Sequence, residues 1–124
     1  MKKLFVFSLF LLLSFSCKED FPKKICGVEN PVEKLEWLSD LVQSLEDRSQ
    51  NLHETYKYVS RAVYKNEYAY ILNNCCPFCN TIVIVYNCEG IIKGHLGYGT
   101  GSIDSSLLQD STIIWKLINF ACKQ

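Results

Sequence analysis

Apolar and polar residues alternate along this chain in three successive regimes, each predicting a different element. Residues 4–15 are largely apolar and follow Lys2 and Lys3. Between residues 31 and 48 the apolar positions Leu35, Leu38, Leu41, Val42 and Leu45 recur at steps of three and four, with Trp37 at the edge of the stripe. Lys34, Glu36, Asp40, Glu46 and Asp47 lie elsewhere on the wheel, so the spacing predicts an amphipathic helix over 31–48 that buries one face. Its start is marked by Asn30 at the N-cap, Pro31 at the first helical position and Glu33 placed to close a capping box.

From His53 onward the period shortens, and β-branched and aromatic residues gather in runs bounded by Asn, Gly, Pro and charged pairs. Four strands fit, over 54–64, 67–73, 81–87 and 91–98. Lys65-Asn66 and Cys88-Glu89-Gly90 are compact enough to be hairpin turns. TIVIVYN (81–87) is apolar on both sides and so reads as a central strand. The expected fold is α+β: one N-terminal amphipathic helix packed on a four-stranded antiparallel meander. Residues 99–111 read as a loop, and 112–116 as either a fifth, edge strand or the start of a short terminal helix.

The opening run changes the picture of where this body sits. Ser14-Phe15-Ser16 places a small residue at each signal-peptidase contact before Cys17, so residues 1–16 read as a lipoprotein signal peptide and Cys17 as the lipidated N-terminus. Twelve residues as a helix reach only about 18 Å, short of the roughly 30 Å core that a spanning helix crosses. Secretion without lipid is the closer rival, and Ser14 stands where most such signals carry Leu. Residues 17–29, charged and then interrupted by Pro22 and Gly27, read as a tether, and 30–124 as a single domain. Removing residues 1–16 leaves 11 basic against 13 acidic residues, a formal charge of −2. With no basic stripe, the composition argues against a nucleic-acid partner.

Seven cysteines fit an oxidising compartment. Setting Cys17 aside for lipid leaves Cys26, Cys75, Cys76, Cys79, Cys88 and Cys122, an even set able to form up to three disulfides. An extended strand between Cys79 and Cys88 would hold them about 30 Å apart, beyond the ~7 Å that a disulfide spans. Adjacent Cys75 and Cys76 are poor partners for each other, and the outlying Cys26 and Cys122 are the natural long-range staples.

Cys76-Pro77-Phe78-Cys79 resembles the active site of thioredoxin-fold oxidoreductases, where a helix N-terminus lowers the pKa of the first cysteine. Here a β-branched run follows instead of a helix, and Cys75 competes as a partner, so a structural disulfide is the favoured reading and a redox pair the alternative. A zinc site of Cys75, Cys76, Cys79 and Cys88 lacks a second Cys-x-x-Cys knuckle, and the expectation is no metal and no cofactor. The glycines of residues 94–101 lack a P-loop Lys. His53 and His95 have no locally spaced carboxylate or serine, and Asp104 and Asp110 are too sparse for calcium.

Tyrosines supply the remaining candidate surface. Tyr56, Tyr58 and Tyr64 share parity on the first predicted strand, and Tyr68 and Tyr70 on the second. If those faces meet, Tyr56, Tyr58, Tyr68 and Tyr70 form a patch opposite the helix suited to a protein or glycan ligand; plain cross-strand pairing is the competing reading.

ENPVEKLEWLSDLV, NNCCPFCN, VIVYNCEG and GYGTG, behind the lipidation motif at Cys17, together resemble small uncharacterised lipoproteins of the Bacteroidetes. The resemblance covers residues 28–116, and where those proteins tend to follow the double cysteine with Asp, this chain has Pro77. It implies a lipid anchor, an oxidising compartment and a helix-plus-sheet body, and supplies no activity. Lys18-Glu19-Asp20 likewise resembles the surface-export signal of such lipoproteins. The sequence thus leads to an expected non-enzymatic outer-membrane lipoprotein that binds a protein or glycan. A thiol–disulfide oxidoreductase using Cys76 and Cys79, and a small hydrolase inhibitor, are the alternatives.

Overall fold

The computed structural model describes Cys26 and residues 28–122. Residues 1–16, read as a signal peptide, Cys17 and most of residues 17–29, read as a tether, lie outside the described residues, and no helix among those described is long and apolar enough to cross a membrane. The body is α+β, as expected, with helices on one side of a single sheet.

The helical segment comes in two pieces, α1 (Pro31–Lys34) and α2 (Glu36–Asp47), where the spacing predicts one. Leu35 adopts an extended conformation between them, and its carbonyl accepts from Leu38 N and Ser39 N at 3.0 and 2.9 Å, which starts α2 afresh. On one continuous helix Val32 would stand about 120° round from Leu38. With the break at Leu35, Val32 and Leu38 pack into the same cluster. Pro31 occupies the first turn as expected, but the capping box does not form. Asn30 is in the left-handed region (φ 53°) with no side-chain cap bond, and its carbonyl instead accepts from Glu33 N and Lys34 N.

The sheet has six strands rather than four or five: β1 (Lys57–Tyr64), β2 (Glu67–Asn74), β3 (Val83–Tyr86), β4 (Ile92–Leu96), β5 (Ser102–Ile103) and β6 (Gln109–Lys116), in the order β5-β4-β3-β2-β1-β6. The meander β1 to β4 is the expected one. β6 adds an antiparallel edge beside β1, which resolves residues 112–116 as strand. The two-residue β5 pairs parallel with β4, so the sheet is mixed, not purely antiparallel. Both Lys65 and Asn66 take positive φ at the β1–β2 hairpin, the backbone that a tight two-residue turn demands.

Residues 52–56 are not strand. Asn51 Oδ1 accepts from His53 N at 3.0 Å and the Thr55 hydroxyl donates to Leu52 O at 2.6 Å, so local side-chain bonds hold a 3-10 turn, Leu52–Tyr56.

Each face of the sheet has its own core. Leu38 and Val42 of α2 pack on Val59 and Tyr70, flanked by Leu72, Tyr86 and Trp115. On the opposite face Ala62, Ala69, Ile71 and Val85 are covered by Ile103 and Leu108, from the segment between β4 and β6. That second cover explains why β2 and β3 are apolar on both sides without a second helix.

Candidate functional site

Six cysteines form three disulfides: Cys26–Cys88, Cys75–Cys122 and Cys76–Cys79, with Cα atoms 5.5, 5.9 and 5.3 Å apart. Neither the vicinal pair nor Cys79–Cys88 is bonded, the latter as strand geometry requires. The four sulfurs considered for zinc are divided among all three bonds. Cys26 is joined to the β3–β4 turn, so the structured body reaches back into the stretch read as tether.

The two long-range bonds fasten different parts of the fold. Cys26–Cys88 holds the N-terminal segment where Trp37 Nε1 also donates to Cys88 O at 2.8 Å. Cys75–Cys122 closes the end of the sheet where β1 begins and β2 stops; there Cys75 N donates to Tyr56 O at 3.1 Å and Ala121 N to Thr55 O at 3.0 Å. The 3-10 turn, the loop after β2 and the C-terminal segment therefore converge.

Cys76–Cys79 lies within this convergence. No helix follows it: the chain passes from a turn into β3, with Asn74 Oδ1 accepting from Cys76 N at 2.8 Å. What the motif has instead of a helix N-terminus is His53, whose Nδ1 is 3.3 Å from Cys79 Sγ. A disulfide sulfur carries no hydrogen, so this contact is a hydrogen bond when Nδ1 bears the proton. His53 Nδ1 and the two sulfurs all lie within 4.8 Å of one another, with His53 exposed and Cys76 the more buried of the two cysteines. Cys79 is half-buried.

Sequence spacing could not bring His53 to this site, because its partner stands 26 residues away. Only the CPxC pattern itself was legible. Around it, Leu52 (66% exposed), Phe78 (88%) and the fully exposed Ile118 stand out from the three converging segments.

The tyrosine patch does not assemble. Register pairs Val63 with Tyr68 and Arg61 with Tyr70, whereas Tyr58 and Tyr64 face Asn73 and Glu67, so the two sets point to opposite sides of the sheet. Tyr70 is fully buried beneath α2, its ring edge-on to Trp37 at 5.7 Å, and Tyr68 lies under the Arg61 guanidinium at 4.7 Å. Tyr58 packs edge-on against Phe120 at 5.5 Å, and Tyr56 belongs to the 3-10 turn. Burial pushes the phenols of Tyr70 and Tyr86 above their ordinary pKa.

His95 contacts Tyr98 O at 3.3 Å, and among the described residues no carboxylate or serine bonds to its ring. Asp104 caps a short 3-10 turn by accepting from Ser106 N at 2.9 Å, which holds its carboxyl below the usual range. Asp110 takes a positive φ at the other end of that segment.

Comparisons of the chain with protein families, with curated proteins and with solved structures find no match.

Proposed function

We propose that this chain is a lipid-anchored lipoprotein of the bacterial outer membrane, similar to small lipoproteins of the Bacteroidetes, that binds a protein partner through the end of the sheet opposite its tether. The observation that carries the reading is the set of exposed apolar side chains Leu52, Phe78 and Ile118 on three segments joined by Cys75–Cys122 and by the hydrogen bonds from Cys75 N to Tyr56 O and from Ala121 N to Thr55 O. Monomeric surfaces tolerate scattered apolar residues, but large ones on segments held rigid by a cross-link match the desolvated centre of a protein interface. None of the three side chains carries a hydroxyl or amide to hydrogen-bond a sugar, so a protein suits this surface better than a glycan. The anchor would enter near Cys26, which is bonded to Cys88 beyond the far end of β3, so this surface points away from the membrane side.

The test is cross-linking of the full-length protein in intact envelopes. A variant with Leu52, Phe78 and Ile118 all replaced by Ser should lose the partner that the unmodified chain captures; unchanged capture would discard the surface. Cys17→Ser should release the protein from the membrane fraction, and retention there would discard the lipid anchor.

A further inference from the structure

We infer that Cys76–Cys79 is an exchangeable disulfide that accepts electrons from a protein dithiol, with His53 stabilising the Cys79 thiolate. This goes beyond partner binding and does not depend on it. Three observations carry it.

The first is the contrast among the disulfides. Two link residues 62 and 47 apart and clamp opposite parts of the fold, while Cys76–Cys79 spans three residues in a turn outside regular structure. Cys75–Cys122 fixes the base of that turn independently, so opening Cys76–Cys79 leaves the neighbouring backbone tied. The second is access. Cys79 is half-buried, while Cys76 lies deeper, so an incoming thiolate reaches the Cys79 sulfur first. Pro77 and Phe78, the two residues between the cysteines, are both exposed. The third is His53, 3.3 Å from that same sulfur and held by the Asn51 cap of its own turn. A hydrogen bond to a thiolate favours the charged form, so this neighbour assists the departure of Cys79 when the mixed disulfide formed on it is resolved.

The exchange balances in two steps. One thiolate of the substrate dithiol attacks Cys79 Sγ, forming a mixed disulfide and breaking the Cys76–Cys79 bond; Cys76 leaves as a thiolate and takes a proton from water. The second substrate sulfur, deprotonated, then attacks the first, forming the substrate disulfide and expelling Cys79 as a thiolate beside His53. The dithiol is oxidised and the cysteine pair reduced by two electrons. The reverse sequence, driven by a disulfide, restores the starting state.

The probe is glutathione in buffers of graded thiol-to-disulfide ratio, applied to the full-length protein purified from the envelope. Alkylation followed by peptide mapping should find Cys76 and Cys79 reduced while Cys26, Cys75, Cys88 and Cys122 remain bonded. If Cys76–Cys79 stays closed until the other two disulfides open, the inference is overturned. His53→Ala should shift the equilibrium toward the disulfide by about tenfold, with unchanged circular dichroism; an unshifted equilibrium removes His53 from the role. As a second measurement, Cys76→Ser leaves Cys79 unpaired. Its thiolate absorbance should appear at lower pH with His53 present than in the double variant with His53→Ala. Partner cross-linking is read separately, so loss of exchange and loss of binding are distinguishable.

Discussion

Gly90 lies directly under the indole of Trp37, so close that a Cβ on Gly90 would sit 2.6 Å from Trp37 Cγ and 2.7 Å from Cδ2. The same ring donates through Nε1 to Cys88 O at 2.8 Å, stands edge-on to Tyr70 at 5.7 Å and tilts against Tyr86 at 5.3 Å. Helix α2, the β3–β4 turn and the Cys26 segment are thus fastened at one side chain.

Gly90→Ala should therefore destabilise the protein strongly. The new methyl meets ring carbons, not a flexible chain end, and the position has φ 79°, where L-residues are strained. Overpacking and strain together should cost about 2–4 kcal/mol. Urea unfolding with the disulfides intact measures it. A loss under ~0.5 kcal/mol, the range of a neutral surface change, would mean that the indole moves aside freely.

This relationship also marks how far the sequence could be read. The stripe Leu38, Val42 and Leu45 is visible as periodicity, and its three residues are the buried ones of α2. Trp37 stands one position off that stripe, and its role comes from Gly90 and Cys88, more than 50 residues on, where no spacing rule reaches. The meander was legible because its hairpin turns are local. β5 was not, since two residues carry no period, and residues 54–56 read as strand because Thr55 and Tyr56 suit one while the Asn51 cap that holds the 3-10 turn lies outside the run. Strand parity was read correctly for Tyr58 and Tyr64, and for Tyr68 and Tyr70. The register across the Lys65-Asn66 turn then decided that the two sets face opposite ways. At the candidate site, CPxC was visible and His53 was not.

Glu54 makes a second prediction. Its buried carboxylate accepts from Lys57 Nζ through both oxygens at 3.0 Å, with Arg48 at 3.9 Å. Glu54→Gln leaves a mostly buried ammonium without its anion and should cost about 2–4 kcal/mol. Removing both partners, as Glu54→Leu with Lys57→Met, should recover much of that loss. A double-mutant cycle measures the coupling; additive effects would show the pair to be indifferent.

The buried phenol of Tyr70 and the half-buried one of Tyr86 make stability pH-dependent on the alkaline side. Desolvation raises the pKa of Tyr70, with Arg61 opposing it and Tyr68 adding to it, and desolvation also raises that of Tyr86. In the unfolded chain both ionise near their ordinary value of about 10. Their stabilising contribution is thus complete below that pH and is lost as pH rises through the higher folded values. Unfolding free energy from short denaturant titrations should be flat with respect to these groups up to about pH 10 and fall beyond it. In Tyr70→Phe the fall should be shallower. An identical slope in that variant would locate the effect elsewhere.

The three disulfides should differ in what they contribute to folding, and the order follows from loop length. A cross-link lowers the entropy of the unfolded chain by an amount that grows with the logarithm of the loop it closes. For separations of 62 and 47 residues this gives about 4 kcal/mol each, and for a separation of three about 2 kcal/mol, before any native strain. Replacing Cys26 with Cys88, or Cys75 with Cys122, by serine pairs should therefore lower stability about twice as much as replacing Cys76 with Cys79. The comparison is made by urea unfolding of the three double variants, each checked for its remaining bonds. Cys75–Cys122 should show a further loss, because Cys75 N to Tyr56 O and Ala121 N to Thr55 O depend on the convergence that it holds. Should the Cys76, Cys79 variant prove the least stable of the three, the short bond would be a structural keystone. An exchangeable pair requires the opposite: that the domain remain folded when this bond opens.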